Sequence, residues 1–203
     1  MSRLLLVRHA KTKQGHGRYW GHSQIGLGEE GIVQAKMLRD HLAGEEIAAI
    51  YSSDLNRARS TAEIVASLHA TEVVLCPELR ELDFGEIEGM TFEEVERCCP
   101  EAVRLWVGGD IDAAAPAGEN LRQLASRVQR LAARLQRHSP EETILIVAHS
   151  GPLRVLLCTW LGIDLERSWQ IRLDPASVSL AETYPEGTIV CFLNNTSHLM
   201  VAG

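Results

Sequence analysis

Leu4-Leu5-Leu6-Val7-Arg8-His9-Ala10-Lys11-Thr12 is the stretch on which the reading of this chain turns. Four aliphatic residues in succession, with no polar alternation, suit a strand covered on both faces, as in the middle of a parallel sheet. In such sheets ligands bind beyond the carboxyl ends of the strands. Arg8 and His9 then stand at the rim of a site. The competing reading is an ordinary core strand that ends in solvated charge.

The same order recurs further along. Glu142-Thr143-Ile144-Leu145-Ile146-Val147-Ala148-His149-Ser150-Gly151-Pro152 runs from a buried strand into a histidine and a small-residue turn. A helix follows from about Leu153 to Leu161, with Pro152 suited to its first turn. Ile47 to Ser52 is another strand, turning through Ser53-Asp54 into a helix with Leu55, Ala58, Ala62, Val65 and Leu68 at helical spacing. Ser53 or Asp54 is its expected cap. Arg57 and Arg59 fall in the first turns, where the helix already carries partial positive charge. An early arginine makes sense where an anion is also bound. Arg59 reads as solvated.

The intervening segments complete an alternating pattern. Lys11 to Gly26 is a polar loop with Tyr19-Trp20 at its centre. Leu27 to about Leu42 reads as a helix with Ile32, Ala35, Leu38 and Leu42 on one side and Gly44 at its end. Val73 to Cys76 is a short strand ended by Pro77. Glu78 to Glu88 holds five acids around Glu81-Leu82-Asp83-Phe84-Gly85, and Glu78, Glu86 and Glu88 read as solvated. Phe92 to Trp106 is one or two short helices broken at Pro100, and Gly108 to Gly118 is a connection. Leu121, Leu124, Val128, Leu131 and Leu135 mark a long amphipathic helix. Val178 to Thr183 and Thr188 to Leu193 flank Tyr184-Pro185-Glu186-Gly187 as a β-hairpin, with Val190 to Leu193 its apolar half. Asn194 to Gly203 is a tail. The pattern predicts an α/β fold, a three-layer α/β/α sandwich. Its central sheet is mostly parallel with an antiparallel edge hairpin, built as one domain over residues 1–203.

Composition narrows the classes of function. A formal net charge of -7 argues against a general nucleic-acid binder, though a local cluster of Arg and His can still hold a small anion. The five cysteines are odd in number and contain no C-x-x-C, which suggests neither a disulfide framework nor a zinc site. Met1-Ser2-Arg3 leads straight into the first strand without a signal peptide, and no apolar run approaches the roughly 18 residues of a membrane span. The expectation is a cytoplasmic protein with no membrane partner.

Arg8, His9, Arg57 and His149 converge at one end of the predicted sheet. Two arginines supply forked donors for phosphate oxygens, and their charge favours a neutral imidazole beside them. A neutral imidazole is a nucleophile, and a protonated one is an electrostatic clamp.

These residues sit in motifs. Arg8-His9-Ala10 with Lys11-Thr12 resembles the R-H-G-x-T signature of the histidine phosphatase superfamily, which includes the cofactor-dependent phosphoglycerate mutases. Trp20-Gly21-His22-Ser23 with Leu27 to Gly31, Tyr51 to Ala58 with Thr61-Ala62, Glu81 to Gly85 with Glu88-Gly89, Pro116 to Asn120, and Ala148 to Gly151 are similar to its further motifs, in order. The resemblance implies a phosphoglycerate mutase-like fold and a phosphohistidine formed on His9. It implies that Arg8, Arg57 and His149 bind the phosphoryl oxygens and that Glu81 acts as general acid. Ser150, His22 and Ser23 join the substrate contacts. It calls for no metal and no cofactor, a small phosphorylated metabolite as partner, and leaves room for a homodimer.

The departures are Ala10 and Ser150 in place of glycines, which are expected to tighten the phosphate pocket. Gly15 stands where an asparagine is common, and Gln24 and Gly26 replace an aspartate and a proline. The region around 86–118 reads as a short lid-like insertion with few cations, only Arg97 and Arg104. A short lid favours hydrolysis over a mutase, which must exclude water. Trp20 and Trp106 are candidates to cover the site. The expected activity is a metal-independent phosphomonoesterase, in look closest to the α-ribazole phosphatase type. The alternatives are a cofactor-dependent phosphoglycerate mutase and a non-catalytic phospho-ligand binding module.

Overall fold

The computed structural model describes residues 2–14, 17–135 and 137–200. Its sheet has six strands: β1 (Ser2–Arg8), β2 (Ile47–Ser52), β3 (Val73–Leu75), β4 (Thr143–Ala148), β5 (Val178–Tyr184) and β6 (Gly187–Asn195). They lie in the order β3-β2-β4-β1-β5-β6. The first four are mutually parallel, and β5 and β6 run antiparallel at one side. β1 and β4 are the inner pair, in register from Arg3 opposite Thr143 to Arg8 opposite Ala148. This is why both lack polar alternation. Leu4 and Leu6 join Ile144 and Ile146 in one core, while Leu5 and Val7 join Leu145 and Val147 in the other.

Two helices cover each face. α1 (Glu29–Leu42) and α2 (Asn56–Ala66) pack on the core that holds Leu5 and Val7. α5 (Leu121–Leu135) and α6 (Ser150–Leu161) pack on the core that holds Leu4 and Leu6. The buried stripe of α5 is Leu124, Ala125, Val128, Leu131 and Leu135, a spacing of three and four that sets one helical face inward. The α/β/α sandwich with a mostly parallel sheet and an antiparallel edge hairpin is as expected.

Several local expectations are corrected. α1 starts at Glu29 and ends with Ala43 as its cap residue, and its buried positions are Gly31, Gln34, Ala35, Leu38 and Leu42. Ile32 is exposed. The inward phase is set by the loop after β1: Gln34 Oε1 accepts the N–H of Lys11, and a Cβ on Gly31 would lie 1.9 Å from the carbonyl oxygen of Lys11. α2 ends before Leu68, which is exposed. Neither Ser53 nor Asp54 caps α2. Gln24 Oε1 accepts the N–H of Asn56 at 3.0 Å, and Asp54 instead takes a two-pronged bond from Arg80. In β6, Cys191, Phe192 and Leu193 are exposed at the sheet edge rather than forming an apolar half. The expected tail is partly built, since β6 runs to Asn195 and a 3-10 turn spans Ser197–Leu199. Val201, Ala202 and Gly203 lie outside the described residues, as does Gly15.

The segment read as a lid forms α3 (Phe92–Cys98) and α4 (Pro100–Val107), broken at Pro100. Thr91 caps α3 through a reciprocal pair with Glu94. The segment builds a small core of Ile87, Val95, Val103 and Ala115, against which Tyr19, Phe84 and Trp106 pack. No helix among the described residues is long and apolar enough to cross a membrane.

Candidate active site

Because β1, β2 and β4 are parallel, their carboxyl ends open on one edge, and a cavity of about 540 Å³ lies there. Arg8, His9, Arg57, Glu81 and Ser150 line it, together with Lys11, Lys13, Arg18, Tyr19, Trp20, Glu29, Glu30 and Phe84. His9 continues β1 and donates its backbone N–H to Ala148 O. Its ring Nδ1 is 2.8 Å from Ala10 O. A carbonyl only accepts, so Nδ1 carries the proton and Nε2 keeps its lone pair. The carbonyls of Arg8 and His9 are held from below by the N–H of Ala176, a buried residue in the left-handed region at φ 57°.

His149 is fully buried behind His9, with ring centres 5.0 Å apart. Its Nδ1 accepts from Arg57 Nε at 3.1 Å, so Nε2 holds the proton and faces Ser53 Oγ at 2.9 Å. It does not line the cavity in this state. Reaching a phosphoryl oxygen requires Nδ1 to exchange Arg57 for the anion and gain a proton. Burial first, then the charges of Arg57 and Arg8, hold His9 well below the ordinary imidazole value. Burial, then Arg57, does the same to His149. Both rings are expected to keep neutral-form NMR shifts as pH falls through about 6.5, where an ordinary imidazole is half protonated. The unfolded chain takes up those protons first, so stability is full above that pH and declines below it. Titration of either ring near 6.5 in the free protein would contradict this electrostatic account.

The arginines differ in anchorage. Arg57 is 1% exposed and donates to the carbonyls of Ser23, Gly21 and Trp20 at 3.0, 2.7 and 3.3 Å. Arg8 donates to Leu173 O at 2.6 Å, and its Nε has no protein partner among the described residues. Burial lowers the pKa of both. Glu81 reaches the N-terminus of α6, where Oε1 accepts from Gly151 N at 3.0 Å and Oε2 from Ser150 Oγ at 3.0 Å. A Cβ on Gly151 would lie 2.2 Å from Glu81 Oε1, so the approach needs a glycine there.

Other expected contacts fall elsewhere. The side chains of His22 and Ser23 do not line the cavity: His22 Nε2 meets Glu81 O at 3.0 Å, and Ser23 Oγ donates to Glu88 at 2.6 Å. Glu88, read as solvated, accepts the N–H groups of Gly21 and His22 as well, and so fixes the loop that grips Arg57. The Ala10 methyl does not narrow the cavity; it is buried against Leu27, Ala35 and Ala176. Ser150 does line the cavity, and its hydroxyl donates to Glu81 Oε2. Trp20 lines the cavity, but Trp106 bonds Ala113 O and packs in the small core. Among the described residues, none of the 86–118 segment lines the cavity, and Arg97 and Arg104 turn to Glu93 O and Glu101. The additional cations are Lys11, Lys13 and Arg18, in the loop after β1. Their place in that loop was the available signal, since loops at strand ends carry function.

Comparison with known proteins bears on the family and the fold. The sequence pattern of the histidine phosphatase superfamily (branch 1) matches residues 4–196. Phosphoserine phosphatase 1 of Hydrogenobacter thermophilus is 34% identical, over 98% of this chain and 95% of its own. The adenosylcobalamin/alpha-ribazole phosphatase of Escherichia coli is 33% identical over 85% of each. The crystal structure of the alpha-ribazole phosphatase from Shigella flexneri superposes with a TM-score of 0.87 at 31% identity, covering 95% of this chain and 96% of that one.

Proposed function

Since the chain belongs to the histidine phosphatase superfamily, we propose that it is a metal-independent phosphomonoesterase whose nucleophile is Nε2 of His9. The observation that carries this is the Nδ1–Ala10 O bond, which leaves a lone pair on Nε2 in a cavity walled by Arg8 and Arg57. Nε2 attacks phosphorus, the ester oxygen departs with a proton from Glu81, and the ring becomes a phosphohistidine. Ala10 O steadies the positive charge that appears on the ring. Arg8, Arg57 and a protonated His149 take the charge of the equatorial oxygens. Water activated by Glu81 then releases phosphate and restores His9. The arginines supply the charge that a metal would bring.

Hydrolysis rather than transfer to a second phosphoryl acceptor is supported by a cavity to which no described side chain of residues 86–118 contributes a wall. For the alcohol half, Tyr19, Trp20 and Phe84 offer flat faces to an aromatic riboside such as α-ribazole 5′-phosphate. A second reading rests on Glu29 and Glu30 with Lys11 and Lys13, whose opposite charges suit the ammonium and carboxylate of phosphoserine.

One assay tests the reaction. Phosphate release from p-nitrophenyl phosphate, α-ribazole 5′-phosphate and phosphoserine is measured with and without EDTA. A parallel arm holds 3-phosphoglycerate with catalytic 2,3-bisphosphoglycerate. Free phosphate that survives EDTA is expected; accumulation of 2-phosphoglycerate, or a large loss with EDTA, overturns the reading. The ester with the highest kcat/KM decides between the two substrates.

A further inference from the structure

Arg127, on α5, faces away from the cavity, yet it holds the loop that delivers Glu81. Its Nη1 donates to the carbonyls of Glu78 and Arg80 at 2.8 and 2.6 Å. Its Nη2 donates to the carbonyl of Glu81 itself at 2.7 Å. Nε and Nη2 also reach the two carboxylate oxygens of Glu119, each at 2.8 Å. Both side chains are largely buried, at 12% and 15% exposed.

Glu119 belongs to the Pro116-Ala117-Gly118-Glu119 turn, which the chemistry at His9 does not use. That turn is stitched to the same loop. The N–H of Glu119 donates to Asp83 O at 2.8 Å, and the N–H of Asp83 faces Glu119 Oε2 at 3.4 Å. The approach is close enough to require glycine on both sides: a Cβ on Gly118 would lie 2.8 Å from Asp83 O, and one on Gly85 2.3 Å from Pro116 O. The backbone from Glu78 to Asp83 is therefore gripped at Glu78, Arg80, Glu81 and Asp83. The only side chain of this run that enters the cavity is Glu81.

Taking an arginine and a carboxylate out of water is costly, and the cost is offset only where geometry is fixed and every donor is used. Here three bonds go to carbonyls of one loop and two to the Glu119 carboxylate. The same grip can be made by no lysine, which lacks the planar fork. Packing alone does not need it, because α5 is already anchored by its apolar stripe.

We propose that Arg127, oriented by Glu119, is a positioning residue that aims the general acid at the leaving oxygen. This rests on the reading of Glu81 as that acid. Misplacement by about 1 Å can cost on the order of a hundredfold in rate, and proton donation matters most when the leaving group is poor. Loss of the clamp thus selects against alkyl esters and spares esters whose leaving group needs no proton.

The test compares kcat/KM for p-nitrophenyl phosphate and for an alkyl phosphate in the wild type, Glu81→Gln, Arg127→Lys and Glu119→Gln, with vanadate inhibition as a readout of the phosphate site. Arg127→Lys and Glu119→Gln are expected to lose about tenfold more on the alkyl ester than on the aryl ester, with vanadate affinity unchanged. Adding Glu119→Gln to Glu81→Gln should bring no further discrimination. If Glu81→Gln discriminates and the two clamp variants slow both esters equally, the clamp is structural and the proposal fails. If Glu81→Gln itself does not discriminate, the acid assignment fails instead. Should Arg127→Lys not fold, Glu119→Gln alone decides, since it keeps the arginine in place and loosens only its orientation.

Discussion

His9→Ala is expected to abolish turnover of p-nitrophenyl phosphate, by about 10⁴-fold or more, while the fold survives. The magnitude follows from chemistry: among the described residues, no other side chain lining the cavity offers a neutral nitrogen lone pair. Deleting a nucleophile typically leaves only what binding and electrostatics contribute. The survival follows from the surroundings of the ring. Its one side-chain bond among the described residues goes to the adjacent carbonyl, Ala10 O, and a bond of that kind contributes about 1 kcal/mol. The space it vacates opens onto an existing cavity instead of forming a closed void. Turnover and thermal denaturation measured on the same preparation check both halves. Residual turnover within tenfold of wild type would remove His9 from the mechanism. A second readout is direct, since brief exposure to labelled substrate should leave acid-labile phosphate on the wild type and none on the variant.

What the sequence made legible followed one rule: a chemical residue directly after a run of buried aliphatics. Arg8-His9 and His149 stand immediately beyond β1 and β4, and the parallel pairing of those strands brings them together. Glu81 was legible through its motif, not through any period. Groups that act through backbone atoms were not legible. Leu173 holds Arg8 through its carbonyl, and Ala176 supports the end of β1 through its N–H. Neither function leaves a mark on side-chain identity. Glu88 looked like one more acid in an acidic run because its partners, two N–H groups and a hydroxyl, lie over sixty residues away. Arg127 was hidden in the polar face of a helix whose apolar stripe explained everything else about it.

The same distinction explains why Ile32 and the cap of α2 were misread. Helical spacing allows Ile32 on the inward side, but the contact with the Lys11 backbone selects Gly31 and Gln34. Ser53 is well placed for a local cap, yet its hydroxyl serves His149 and the N–H of Leu55, and a distant glutamine supplies the oxygen for Asn56. Local rules failed where the cavity end of the sheet had already committed the local groups.

Arg57→Ala is expected to produce the second large effect, and it should fall on stability as well as on rate. An arginine that stabilises a transferring phosphoryl group contributes on the order of 10³ or more in rate. Arg57 is also the post around which the Trp20–Ser23 loop is wound, through three carbonyls, while Glu88 ties the opposite, N–H side of that loop. Its removal leaves buried acceptors without donors, at about 1–3 kcal/mol each, and takes from His149 the donor that fixes its tautomer. Arg57→Lys should not restore function, because a single ammonium cannot reach three carbonyls and a phosphate oxygen together. Arg8 provides the control. It lines the same cavity and carries the same charge but gives one bond among the described residues, so Arg8→Ala should lose rate with a much smaller change in the urea midpoint. Equal stability of the two variants would show that the loop stands without Arg57. In that case Glu88, and not the arginine, would be what shapes this wall of the site.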